Sequence, residues 1–340
     1  MVNKGKTKLK ILYIKDYLEQ FSDENHPISA EILQGMLLKN GIECERKSIY
    51  SDVQALKEYG MEIFRVRTPV NGYYLASRNF EEPQLRLLID AVQAASFITD
   101  KKTKELVKKI GSLCSESVGK QLTKQVYIEN RVKCTNEEIY YSIDVLNRAI
   151  RDRKKVAFIY CKRIISDETR AIKIKERRYV ISPYSLIWSN DHYYLVGNYQ
   201  KYDNLMHIRI DRMKKVEMLK ETIRPFSEVS PYRSYFDSAD YVSKLFNMFS
   251  GSLQQLDFIC ENSILEEIMD RFGSGALITR YHDDSHFRMR TKISVSEGLV
   301  SWLMQFGDKV EVLEPQSLRK KIKERAQSIF ELYEKEQIFE

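Results

Sequence analysis

Apolar positions in the first quarter of the chain recur three and four residues apart, the spacing of one helix face. Ile11, Ile14, Tyr17, Leu18 and Phe21 predict a helix over 8–21, closed by the turn Ser22-Asp23-Glu24-Asn25. Pro27-Ile28-Ser29 opens a second helix, with Ser29 as N-cap and Glu31 in the first turn. Its apolar stripe is Ile32, Leu33, Met36 and Leu37, and Asn40-Gly41 stops it. A third helix is predicted over 45–59, ended by Gly60. Ile49, Val53 and Leu56 then face inward, and Arg46, Lys47, Tyr50, Ser51 and Gln54 face outward. Met61–Val66 reads as a strand, 67–72 as a turn with the hairpin signal Asn71-Gly72, and Tyr73-Tyr74-Leu75 as the return strand.

Three helices followed by a hairpin suit a winged helix-turn-helix, whose third helix enters the major groove of DNA. Arg46 and Gln54 then pair with base edges, while Lys47, Tyr50 and Ser51 hold phosphates. Arg65 and Arg67 sit where a wing touches the backbone or minor groove. A three-helix unit always has a polar face, however, and winged helices also serve as protein-interaction modules.

From Glu81-Glu82-Pro83 the helical spacing returns, since Pro suits a first turn. Leu85, Leu87, Leu88, Ala91, Val92, Ala95 and Phe97 form one apolar face, and Asp100 restarts a helix with Leu106, Val107 and Ile110. This segment is either a helical spacer or a dimer-forming connector.

A helix over 137–151 then gives way to alternation. Strands are predicted at Lys155–Tyr160, Arg178–Pro183, Leu186–Trp188, Tyr193–Asn198 and His207–Met213, with a polar hairpin region over 163–176. In the last strand Ile208 and Ile210 share one face, and His207, Arg209 and Asp211 share the other. Arginines at that spacing present planar forks that suit an anion held bidentately. Candidate ligand contacts are Tyr184, Tyr194, His207, Arg209 and Arg212, with Arg178 nearby. For two of these a plainer role stays open: Tyr194 as a core residue, and Arg212 as the partner of Asp211 or another acid.

The run Ser182 to Met213 resembles the WYL domain of bacterial transcriptional regulators, in the aromatic-aromatic-leucine run Tyr193-Tyr194-Leu195 and the strand Arg209-Ile210-Asp211-Arg212-Met213. Tyrosine stands at position 193 where the family has tryptophan. Ile181-Ser182-Pro183-Tyr184 resembles the family strand that leads to its pocket, and Tyr184, Arg209 and Arg212 match family positions most closely. The resemblance implies a small Sm-like barrel, a type that often stacks bases on aromatics and fixes phosphates with Arg. Arg46 to Gly60 and the closing Gly72-Tyr73-x-Leu75 are similar to the DeoR-like winged helices that precede WYL domains.

From Leu256 the pattern reads strand, helix, strand, strand, helix, strand and a final helix, the ferredoxin-like order. This part resembles the C-terminal extension found beside WYL domains, including Trp302-Leu303, Phe306-Gly307, Val310, Val312-Leu313, Pro315 and Leu318-Arg319. The fold class is therefore expected to be α+β. The expected parts are a winged helix-turn-helix over 1–78, a helical linker over 79–135, a WYL barrel over 136–222, an aromatic crossover over 223–254 and a ferredoxin-like extension over 255–335. His282-Asp283-Asp284-Ser285-His286 reads as a solvated hairpin turn rather than a metal site. Gly273-Ser274-Gly275 reads as a helix end, because no helix follows to cradle a phosphate.

Composition narrows the partners. The chain has 340 residues and a net charge of +7, and the segment from Arg148 to Arg178 accounts for the whole positive surplus. A polyanionic partner fits that distribution. Five scattered cysteines without a CxxC pair argue against a disulfide framework or a zinc site. No apolar run of membrane length and no cleavable leader is present, so a soluble cytoplasmic protein is expected. No catalytic pair and no cofactor motif stands out.

Together these features imply a homodimeric transcription regulator, not an enzyme, that binds duplex DNA and senses a nucleotide or single-stranded nucleic acid. The alternatives are an RNA-binding protein using the barrel and a constitutive DNA-binding protein without an effector. The operator, the sign of regulation, the effector and any domain swap are not written in the sequence.

Overall fold

The computed structural model describes residues 4–68, 70–124, 133–166, 171–189, 191–230, 251–273 and 276–334. The crossover aromatics Tyr232, Tyr235, Phe236, Tyr241 and Phe246, and Ser274-Gly275, lie outside the described residues. The chain divides into two units, 1–137 and 138–340, and its class is α+β.

The first unit opens with α1 (Lys4–Phe21), α2 (Ala30–Lys39) and α3 (Arg46–Glu58), followed by the hairpin β1 (Ile63–Val66) and β2 (Gly72–Leu75). The Ser29 hydroxyl accepts the Ile32 amide and caps α2 as expected. Ile14, Leu18, Leu33, Leu37, Ile49, Val53 and Leu56 form the core. Ile32, expected in the α2 stripe, points outward; Ala30 takes the inner position one turn ahead of Leu33. Beneath α3 the nearly buried Lys10 ammonium meets Asp52 at 2.8 Å and donates to Ser48 Oγ. Position 72 needs glycine for space, because a Cβ would lie 2.7 Å from the backbone of Ile28. There Ile28 and Tyr73 exchange reciprocal backbone bonds of 2.8 Å, which ties the hairpin to the entry of α2.

The linker forms α4 (Glu82–Ala94), α5 (Asp100–Gly111) and α6 (Glu116–Lys124). Leu85, Ile89, Val107, Cys114 and Leu122 pack together, while Leu87 and Leu88, expected on the same face, are exposed. This linker is fastened to the first helices. Arg78 donates to the carbonyls of Glu19 and Ser22 at 2.5 and 2.7 Å, satisfying orphan acceptors at the end of α1. Ser115 donates to Asp23 across 2.5 Å.

The second unit begins with α7 (Ile139–Arg151), which packs on a sheet of β3 (Lys154–Ile165), β4 (Ile172–Ser189), β5 (His192–Tyr199), β6 (Met206–Arg209) and β7 (Met213–Thr222). The strand order is β6-β5-β4-β3-β7, antiparallel throughout. Two sequence expectations change here. The strands expected at 178–183 and 186–188 are one strand, β4, with a bulge at Pro183/Ser185. The strand expected at 207–213 stops at Arg209, turns through a 3-10 helix at Ile210–Arg212, and continues as β7.

That turn reveals how sharply the sheet curves. Arg209 lies beside Tyr194, which lies beside Ile187; Met213 lies beside Tyr160, which lies beside Arg177. Ile187 and Arg177 are both on β4 and would be about 33 Å apart on a straight strand. The chain from 209 to 213 spans at most about 14 Å. The sheet must therefore bend until its outer strands approach, helped by bulges on β7 and β4. No ladder joins β6 to β7 among the described residues, so the expected Sm-like barrel does not close; the sheet remains open.

The remaining elements are β8 (Ser252–Glu261), α8 (Leu265–Phe272), β9 (Leu277–Arg280), β10 (His286–Val295), α9 (Glu297–Met304), β11 (Val310–Glu314) and α10 (Gln316–Glu334). The strands lie in the order β11-β8-β10-β9. Leu256, Phe258, Ile268, Met289, Leu299 and Leu303 are buried between sheet and helices. The turn at 282–286 is closed locally: Asp283 accepts from the Ser285 amide and hydroxyl and contacts His286 Nδ1 at 2.9 Å.

Candidate functional site

The bend brings three strands and the 3-10 turn to one place. On β5 and β6, Tyr194 and Arg209 are directly paired, so their side chains rise from the same face. Asp211, at the middle of the turn, receives both Arg209 Nε at 3.1 Å and Arg209 Nη2 at 2.7 Å. A guanidinium has five N–H donors, and this fork engages two of them. The Arg212 charge acts on the hydroxyl of Tyr160 on β3. His192 stands at the near end of β5 with its ring 6.3 Å from that of Tyr194, edge to face.

The electrostatics of these groups are shared. Burial works against the Arg209 charge, but the bonds and charge of Asp211 outweigh it and hold its pKa above the usual value. Burial raises the Tyr194 phenol, and the Arg209 charge opposes that rise. Tyr160 is likewise raised by burial and eased down by Arg212. His192 is lowered, first by burial and then by the Arg209 charge. The cluster is thus a half-buried aromatic floor carrying two arginines, one of them fixed in place by a carboxylate.

The other expected contacts have partners of their own. Tyr184 packs, like Tyr194, against the buried Ile187, Val196, Leu205 and Val229; its hydroxyl donates to the Arg224 carbonyl at 2.9 Å and its ring meets Phe226 at 5.0 Å. Burial there pushes its pKa up to about 12. Arg178 pairs with Glu217 on β7 at 2.8 Å. His207 lies on β6 beside Val196, on the same face as Arg209 and half-buried. Tyr160 and His192 join the cluster although the sequence does not single them out. Tyr160 stands about fifty residues before Arg209, in a strand with no signal beyond alternation. The acid of the Arg-Ile-Asp-Arg run pairs with the first arginine.

On the first unit, Arg46, Lys47, Tyr50, Ser51 and Gln54 are all exposed along α3, and Arg65 and Arg67 are exposed on the hairpin. Arg46 reaches Glu31 at 3.3 Å, and Gln54 donates to Glu58 at 3.2 Å. Arg65 donates to Asn71 at 3.3 Å and stands 5.9 Å from the Tyr73 ring centroid. Among the described residues no group of His, Cys, Asp and Glu has metal-binding geometry, and no helix is long and apolar enough to cross a membrane.

Comparison with known proteins agrees with this division. Residues 142–218 match the WYL domain, and residues 259–330 match the WCX domain. An uncharacterized HTH-type transcriptional regulator of Bacillus subtilis (strain 168), YobV, is 23% identical over 320 residues, covering 90% of this chain and 96% of its own length. Among solved structures, the proteasome accessory factor B/C (PafBC) of Arthrobacter aurescens aligns with 95% of this chain at 14% identity and a TM-score of 0.27. This chain spans 46% of that one. A CRISPR Cas-related protein aligns with 97% of this chain and 85% of its own, at 13% identity and a TM-score of 0.38. The chain thus carries a WYL domain followed by a WCX domain, and over nearly its whole length it is similar to an HTH-type transcriptional regulator.

Proposed function

We propose that this chain is a ligand-responsive regulator that binds duplex DNA through α3 and the β1–β2 wing, and senses an anion at the Arg209–Arg212 cluster. The observation that carries the sensing half is the Arg209–Asp211 fork beside Tyr194. A guanidinium already oriented by a carboxylate loses little freedom when an anion arrives, and aromatic rings beside it offer stacking surfaces for a base. A nucleotide or single-stranded nucleic acid fits both features. For the DNA half, the support is the five polar side chains exposed on α3 above a core of Ile49, Val53 and Leu56. Ligand binding shifts the population between states of different DNA affinity, in a homodimer in the cytoplasm.

Thermal stabilisation by nucleotides and short single strands tests the sensor. Arg209→Ala and Arg212→Ala should each abolish the stabilisation while the folded spectrum is kept. An unchanged response in both would remove the cluster from the mechanism. A shift assay comparing duplex DNA with RNA at matched salt separates the DNA reading from RNA binding.

A further inference from the structure

Part of the β3–β4 hairpin extends past the sheet. The β3–β7 ladder ends at Tyr160 and the β4–β5 ladder begins at Ile181. Beyond Tyr160, β3 pairs only with β4 among the described residues, in the register Lys162↔Lys175, Ile164↔Lys173 and Ile165↔Ile172. A two-stranded ribbon without further neighbours is marginal in water. One of its faces carries Lys162, Lys173 and Lys175, all exposed, and continues at its base into Arg177.

The opposed lysines carry an electrostatic cost. Like charges directly opposite on neighbouring strands destabilise a sheet, and Lys162 stands opposite Lys175. That arrangement is relieved when anionic groups lie over it. Along one strand these side chains recur about every 6.6–6.8 Å, and the two strands are about 4.8 Å apart. The B-DNA major groove, about 12 Å wide, admits a two-stranded ribbon between its rows of phosphates.

We propose that the lysine face of this ribbon is a second, sequence-independent contact for the phosphate backbone of duplex DNA. The proposal rests on the reading of the chain as a duplex-binding regulator but assigns a contact outside α3 and the wing. It also gives a role to the basic segment that supplies the chain's positive surplus. The exposed Ile165, Ile172 and Ile174 lie on the opposite face.

The test uses the full chain and a duplex of about 30 base pairs of arbitrary sequence, titrated by anisotropy from about 50 mM salt upward. The triple variant Lys162→Gln, Lys173→Gln, Lys175→Gln should lower the slope of log K against log salt by about 2.7, roughly 0.9 for each phosphate that is no longer neutralised. The matching triple Lys→Arg variant should keep the wild-type slope. An unchanged slope in the glutamine variant overturns the proposal. So does a loss of binding explained by dissociation of the protein in sedimentation, which would make the ribbon a self-association arm. So does an effect confined to a single-stranded probe. Arg46→Ala with Lys47→Ala is measured alongside. If those substitutions weaken binding while the ribbon variant does not, only the ribbon contact fails. If wild type binds no duplex at low salt, the regulator reading fails with it.

Discussion

Arg209 and Asp211 stand two residues apart and meet fork to fork, because the 3-10 turn after β6 folds the carboxylate back over the strand end. An extended strand at 209–211 would also put both side chains on one face; here the turn holds Asp211 on Arg209 in two bonds of 3.1 and 2.7 Å. The arginine is therefore oriented by the chain's own carboxylate.

Replacing the carboxylate separates orientation from charge. Asp211→Asn keeps one acceptor and removes one negative charge. Its stability in urea should fall by about 1–2 kcal/mol, the scale of a lost charged hydrogen bond. Affinity for an anionic ligand should nonetheless rise several-fold, because the cluster becomes more positive. Weaker anion binding in this variant, with the fold intact, would show that the fork's geometry outweighs its charge.

The pH dependence follows from His192. Its pKa lies below the ordinary value of 6.5, through burial first and the Arg209 charge second, with Arg212 adding to the drop and Asp211 and Asp191 opposing it. The unfolded chain therefore takes up this proton more readily than the folded one, so stability is lost as pH falls through 6.5 toward the folded pKa. A bound anion offsets Arg209 and raises the His192 pKa, which makes binding tighter at lower pH. Imidazole titration by NMR, with and without inorganic phosphate or a short oligonucleotide, checks both statements. A His192 pKa that ignores a bound anion would place the ligand elsewhere.

Much of the fold is legible in the sequence, and the departures have physical causes. Ile49, Val53 and Leu56 are readable because α3 is amphipathic with one buried face, and all three are buried. Ile32 departs from the expected stripe because Leu33 and Leu37 already fill the inner face of a short helix. β4 reads as two strands because Pro183 and the bulge beside it look like a strand end in sequence. β7 escapes the pattern because only Met213 and Val216 are fully buried in it, too sparse for an alternation signal. The cluster is half visible. Arg209, Tyr194 and Arg212 come from one stretch, whereas Tyr160 joins only through the bend of the sheet, which no local pattern encodes.

Lys10 supports α3 from below. Its ammonium, almost fully buried, pairs with Asp52 of α3 at 2.8 Å. Lys10→Met should cost about 3 kcal/mol, because the acid is left without its partner in a poorly solvated place. The loss should appear in the unfolding of the first unit and weaken DNA binding through α3. A loss below about 0.5 kcal/mol would mean that Asp52 reaches solvent easily.

Gly197 tests the packing of the curved sheet. A Cβ there would lie 2.5 Å from Ile181 Cγ2 and 2.9 Å from the Ser182 carbonyl oxygen. Gly197→Ala should destabilise the second unit by about 1–3 kcal/mol through overpacking. Calorimetry should show a lowered transition for that unit, and a neutral result would mean that β5 can shift away from β4.

The most direct measurement is the affinity for a labelled operator duplex, selected from genomic fragments, with and without a saturating anionic effector. In wild type the effector should change that affinity by about 5–150-fold, the usual range of allosteric coupling. In Arg209→Ala with Arg212→Ala the effector should have no influence, while affinity in its absence stays within about two-fold of one wild-type state. Full effector response in the double variant would contradict the assignment of the sensing site.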